Sequence, residues 1–130
     1  MIRTSLRLLL ALVYLIAGIL HLKSPAGFLA ITPDWVPFPE MVIAFTGLAE
    51  IAGAIGLMIP RFRKAAGIGL ALYALCVWPA NFNHALNDIA LGGEHLSWWY
   101  HAPRLAFQPV FIWLALWVGQ VTNWPLRETN

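Results

Sequence analysis

The sequence predicts an all-α integral membrane protein, a single domain over residues 1–130 folded as a four-helix up-down-up-down bundle with both ends cytoplasmic. Composition is the first observation behind this. Of 130 residues, 60% are hydrophobic and 11% charged, with mean hydropathy +0.70, whereas soluble domains carry about 25% charged residues. The second is a set of four apolar stretches, each about long enough to cross a hydrocarbon core of ~30 Å. The third is the placement of the 8 basic residues: Arg3, Arg7, Arg61, Arg63, Lys64 and Arg127 fall on one side of such a bundle, and only Lys23 and Arg104 on the other. By the positive-inside rule that asymmetry puts both termini in the cytoplasm.

The first span covers about residues 4–22, after Arg3 and Arg7. Its basic start and apolar run have the outline of a secretory signal, with Ser24-Pro25-Ala26 as a faint cleavage site. The later apolar segments put the chain in the membrane in any case, and a proline beside the cut disfavours it. The link from Lys23 to Pro39 carries Pro25, Pro33, Pro37 and Pro39 with Phe28, Trp35 and Phe38 between them. It suits an ordered interfacial loop with one short helix at its start. The second span, about 40–59, is closed by Pro60 and a tight basic turn. The third, about 65–82, offers Gly67, Gly69, Ala71 and Ala74 as small packing surfaces, and Pro79 should kink or loosen its last turn. A polar link, 83–102, holds His84, Asn87, Asp88, Glu94, His95 and His101, with Trp98, Trp99 and Tyr100 as an interface belt. The fourth span, about 103–124, starts at Pro103, a favourable first-turn position, and stops at Pro125.

Glu50 is the residue that the rest must accommodate. It lies in the run Thr46 to Pro60, TGLAEIAGAIGLMIP, roughly 15 Å from the end of its helix at the helical rise. An acid at that depth costs about 2.5 to 3.5 kcal/mol on insertion scales, so it needs protein contact, a partner or a proton. Its helical neighbours Thr46, Gly47, Gly53 and Ala54 are small enough to admit another helix. His21, Asn81, His84, Arg104 and Gln108 all fall at the outward ends of their spans. Together they outline a polar pocket, with Glu50 at its floor and Arg104 at its mouth, joined as an ion pair. The same residues would also suit a purely structural network tying helix ends together.

Other chemistries are poorly supported. His21 and His84 could in principle hold a haem or metal, but no two histidines share a close helical spacing, and C-x-x-C-H and H-E-x-x-H are missing, so no metal site is assigned. The lone Cys76 excludes an internal disulfide or C-x-x-C pair and reads as a buried small hydrophobe. The tryptophans cluster near span ends as interface anchors, and no glycine pattern cradles a phosphate, so neither nucleic acid nor nucleotide is a partner.

Five segments carry a family resemblance: Gly18-Ile19-Leu20-His21, the loop from Pro33 to Pro37, Thr46-Gly47-Leu48-Ala49-Glu50 with Gly56-Leu57 and Pro60, Trp78-Pro79-Ala80-Asn81, and Arg104-Leu105-Ala106-Phe107-Gln108. On these the chain resembles the DoxX-like family of small four-helix membrane proteins over nearly its whole length, departing at Ala106, where relatives often carry proline. The resemblance implies a multi-pass protein of the bacterial cytoplasmic (inner) membrane, from a family named after a subunit of a thiosulfate:quinone oxidoreductase. Two functional expectations follow. One is a subunit or accessory of a membrane oxidoreductase, with no intrinsic cofactor, a quinone-like or small amphipathic ligand in the pocket, and a redox protein or a second copy as partner. The other is a non-catalytic scaffold or assembly factor whose polar cluster is structural.

Overall fold

The computed structural model describes residues 1–125, so Arg127 of the charge argument lies outside the described residues. Among the described residues the chain forms five helices: α1 (Ile2–Lys23), α2 (Ala26–Ile31), α3 (Pro39–Met58), α4 (Arg63–Leu86) and α5 (Trp98–Val118). Proline opens α3 at its first turn, where the missing N–H costs nothing. Between α4 and α5 a tight turn pairs Leu91 with Glu94, and Gly92 and Gly93 supply its positive φ of 59° and 85°. α1 packs on α3, α3 on α4, α4 on α5, and α1 also touches α5.

The helix ends differ from the sequence expectation. α4 runs to Leu86 through Pro79 and does not stop near 82, so His84 is a helical residue, not a loop one. α5 begins at Trp98, five residues before Pro103, and ends at Val118, not near 124. Pro103 and Pro109 therefore both lie inside the helix. Each removes one backbone hydrogen bond that neighbouring helices must make dispensable.

α1, α3 and α4 are long and apolar enough to cross a membrane. α5, with 21 residues, has the length but a more polar composition, because it carries His101, Arg104 and Gln108 together with two prolines. Burial is inverted relative to a water-soluble protein. Arg3, Arg7, His21, Glu50, Asn81, His84, His101 and Gln108 are buried, while Leu9, Leu12 and Ile16 of α1, Phe45 and Leu48 of α3, and Leu72 and Leu75 of α4 face outward. Exposed apolar belts over a polar interior are what a hydrocarbon solvent selects.

The two ends of the molecule are built differently. At the base, where α1 starts and α5 ends, Leu10, Leu57, Leu70, Trp117 and Val118 form a close apolar core. Arg3 donates to Asn123 Oδ1 at 2.8 Å and its guanidinium lies 4.7 Å from the Trp117 ring centre. Arg7 donates to the Val118 carbonyl at 2.8 Å, and Arg63 to the Leu57 carbonyl at 3.1 Å, satisfying carbonyls at the ends of α5 and α3. Arg7 and Arg63, read from the sequence as orientation charges, thus also cap helix ends. At the opposite rim lie His21, α2 and its loop, and the facing ends of α4 and α5.

Two glycine crossings bring the helices close. A Cβ at Gly18 would fall 2.6 Å from the Gly47 carbonyl, and one at Gly47 would fall 2.7 Å from His21 Cβ. On the other side, a Cβ at Gly119 would sit 2.7 Å from Gly67 Cα. Gly69, in contrast, faces open space. Gly47→Val is therefore expected to lower stability by about 1–3 kcal/mol through overpacking, whereas Gly69→Ala gains up to about 1 kcal/mol of helix propensity. Thermal unfolding in detergent, read by circular dichroism, checks the contrast; equal effects at the two sites would refute this packing.

Candidate functional site

The α1–α3 crossing sets the site. The two helices run antiparallel, so Gly18 lies level with Glu50, and Gly47 with His21. Side chains on a helix lean toward its N-terminus. His21 therefore leans down along α1 and Glu50 leans up along α3, and the two converge where the glycines leave room. His21 Nδ1 lies 2.8 Å from Glu50 Oε2 and 2.9 Å from the Ala17 carbonyl. With an ionised Glu50 both neighbours are acceptors, so Nδ1 carries a hydrogen, aligned with Ala17 and shared off-axis with the carboxylate. Glu50 is only 2% exposed, and its Oε2 makes no well-aligned hydrogen bond among the described residues. The Tyr73 hydroxyl comes within side-chain hydrogen-bonding reach of the same acid, and Tyr73 meets Tyr14 edge to face at 6.0 Å.

A cavity of about 380 Å³ opens above this pair. Its walls are mainly apolar, and its polar groups include Tyr14 and His21 from α1, Thr46 and Glu50 from α3, Tyr73 and Asn81 from α4, and Arg104 and Gln108 from α5. The α2 segment roofs it: Phe28 stacks on the His21 ring at 3.7 Å between centres, and Ile31, Thr32 and Pro33 contribute to the lining. Asn83 Nδ2 donates to the Ile31 carbonyl at 2.9 Å and latches this roof to α4. Gln108 Nε2 donates to the Ala74 carbonyl at 2.7 Å, holding α5 against α4 at the cavity wall.

The structure does not join Glu50 to Arg104. Arg104 Nη1 donates to His84 Nδ1 at 2.9 Å, and the ion pairs among the described residues join His21 to Glu50 and the exposed His95 to Asp88. The expected pair is corrected on a simple ground: the close glycine crossing presents His21 to the acid first, while Arg104 enters at the level of His84. Both charges still line the same cavity. His84 does not line it; it is fully buried behind Arg104 and packs edge-on against His101 at 4.7 Å. Because arginine only donates, His84 Nδ1 is an acceptor and its proton sits on Nε2. That atom and both ring nitrogens of His101 are buried without a hydrogen-bond partner among the described residues. Cys76, expected as a buried hydrophobe, is exposed and lines the cavity.

Nothing in the sequence singles out Tyr14 and Tyr73, which also line the cavity. The signal that would have found the His21–Glu50 pair is the matched spacing Gly18-x-x-His21 and Gly47-x-x-Glu50 on antiparallel helices. Among the described residues no three His, Cys, Asp or Glu side chains form a group that could hold a metal.

A family model described as Domain of unknown function (DUF8561) matches residues 10–119. The chain belongs to that family. The matched span includes both glycine crossings and every polar residue of the cavity, and leaves Arg3 and Arg7 outside. No curated protein and no solved structure matches the chain.

The geometry predicts where energetic coupling lies. A double-mutant cycle of His21→Ala and Glu50→Gln, measured by detergent unfolding, should show an interaction of about 1–3 kcal/mol, whereas Glu50→Gln and Arg104→Gln should add to within about 0.5 kcal/mol. Strong coupling to Arg104 and none to His21 would reverse the assignment.

Proposed function

We propose that this chain is a multi-pass protein of the cytoplasmic (inner) membrane whose rim cavity takes the headgroup of a lipid-soluble quinone or a similarly small amphipathic ligand. On this reading it serves as a subunit or accessory of a membrane oxidoreductase. α1, α3, α4 and α5 form a four-helix up-down-up-down bundle with both ends cytoplasmic, so that the cavity faces the outer leaflet. Support for α5 as the fourth span comes from its outward-facing Phe107, Val110 and Phe111 and from its contacts with α4 and α1. Arg3, Arg7 and Arg63, all at the base, support the orientation. The resemblance to DoxX-like proteins supports the oxidoreductase setting.

One observation carries the ligand reading: a buried carboxylate oxygen that has no aligned hydrogen bond among the described residues borders an apolar-walled cavity, which also receives an arginine not paired to that acid. About 380 Å³ lies at the small end of ligand pockets, which begin near 300 Å³. Glu50 can accept a hydrogen bond or a proton from a quinol hydroxyl. Arg104 commits one of its N–H groups to His84 and keeps others for a carbonyl. The chain's own part is to bind, orient and exchange protons, and electrons pass to and from a partner redox protein.

Purification in mild detergent followed by mass spectrometry of extracted lipids tests this. Quinone should be enriched with the native protein and fall about tenfold in folded Glu50→Ala and Arg104→Ala, as expected for losing a charge-assisted hydrogen bond. Absence of quinone, or equal retention by all three proteins, would overturn the reading and leave the polar cluster as the network of a scaffold. For the topology, a C-terminal reporter should be active only in the cytoplasm; activity outside would overturn the orientation.

A further inference from the structure

The polar wall of the rim cavity is biased toward accepting hydrogen bonds, and backbone carbonyls behind it set that bias. The Ala17 carbonyl can only accept, so the hydrogen of a neutral His21 ring sits on Nδ1 and Nε2 is left as a bare lone pair. Gln108 must turn its amide nitrogen toward the Ala74 carbonyl, so its Oε1 is left as an acceptor. Both side chains line the cavity. Neither His21 Nε2 nor Gln108 Oε1 has a partner among the described residues, and neither is fully covered. An ionised Glu50 only accepts, and a Tyr73 hydroxyl that gives its hydrogen to Glu50 keeps only its oxygen for anything else. Against these acceptors stand the N–H groups that Arg104 does not spend on His84. Tyr14 and Asn81, also on the wall, can play either part.

We propose that the cavity selects the reduced form of its ligand, holding a quinol by its two hydroxyl hydrogens and the corresponding quinone only weakly. This rests on the quinone-head reading of the cavity and adds the oxidation state it retains. A quinone carries two carbonyls and no ring O–H to donate. One carbonyl can face Arg104, but the other then meets atoms that also only accept, and opposed lone pairs in a mainly apolar space stay unsatisfied. A quinol places a hydroxyl at each end of the ring. Each gives its hydrogen to a wall acceptor, and the oxygen nearest Arg104 still takes a hydrogen from it. A site whose buried polar groups match a ligand O–H rejects the analogue that lacks it, because those groups are otherwise left unpaired. Tighter binding of the reduced form also raises the reduction potential of the bound couple, by about 30 mV for each tenfold preference in a two-electron couple.

Three probes of nearly one shape test the selection: a decyl hydroquinone, its quinone, and its dimethyl ether, which keeps both oxygens but has no O–H. Binding to the immobilised native protein in mild detergent is measured without oxygen, by mass spectrometry of the retained probe. The quinol should bind at least tenfold more tightly than either of the others. Folded Gln108→Leu should lower quinol affinity and bring the ratio toward one. In ¹⁵N spectra of the histidine-labelled native protein, the resonance of the bare His21 Nε2 should move on adding the quinol and stay in place with the quinone or the ether. This second readout decides the matter if Gln108→Leu does not fold. Equal affinity for quinol and quinone, or an ether that binds as the quinol does, would refute the selection and leave the cavity reading standing. A preference that survives Gln108→Leu, or a His21 Nε2 that does not respond to the quinol, also refutes it. If none of the three probes is retained, both readings fall.

Discussion

A carboxylate placed midway along an apolar helix dictates how the neighbouring helices must meet. Glu50 can be buried only where a hydrogen-bond donor reaches it without a wide polar gap, and the crossing of Gly18 over Gly47 provides that approach. The antiparallel sense of α1 and α3 turns the N-terminal lean of both side chains to advantage, bringing His21 to 2.8 Å from the acid. The stacking of Phe28 on His21 then places the roof segment, and Asn83 latches that segment to α4. The cavity is the space left under this roof.

The base and the rim divide the work. At the base, Trp117, Leu57 and Leu70 pack closely and three arginines satisfy side-chain and carbonyl acceptors at helix ends, so this half holds the helices in place. Toward the rim, Glu50 Oε2, Trp78 Nε1, His84 Nε2 and both nitrogens of His101 are buried without an aligned hydrogen bond among the described residues. Incomplete hydrogen bonding in the low-dielectric interior is costly.

Much of this was legible in the sequence, and the reasons for the remainder are specific. The helical character, the apolar spans and the importance of Glu50 follow from composition and depth, which need no tertiary knowledge. The partner of Glu50 did not follow, because pairing by depth and charge points to Arg104, whereas the decision is made by backbone approach at two glycines. The start of α5 was misplaced for a local reason. Pro103 is a favourable first-turn residue, and nothing in sequence propensity announces that two prolines will be carried inside one helix by its packing. Cys76 was misjudged because burial was inferred from hydrophobicity, whereas the residue is exposed and lines the rim cavity.

The account stands on the His21–Glu50 contact, and a distance measured in a bilayer addresses it without recourse to stability or activity. Solid-state NMR on protein in lipid vesicles, with histidine labelled in ¹⁵N and glutamate in ¹³C, should show a strong dipolar contact between His21 Nδ1 and the Glu50 carboxyl carbon that disappears in His21→Phe. If the Glu50 carboxyl carbon instead couples to the guanidinium nitrogens of a ¹⁵N-labelled Arg104, or to no histidine nitrogen, the crossing does not place these groups together and the site as described is wrong.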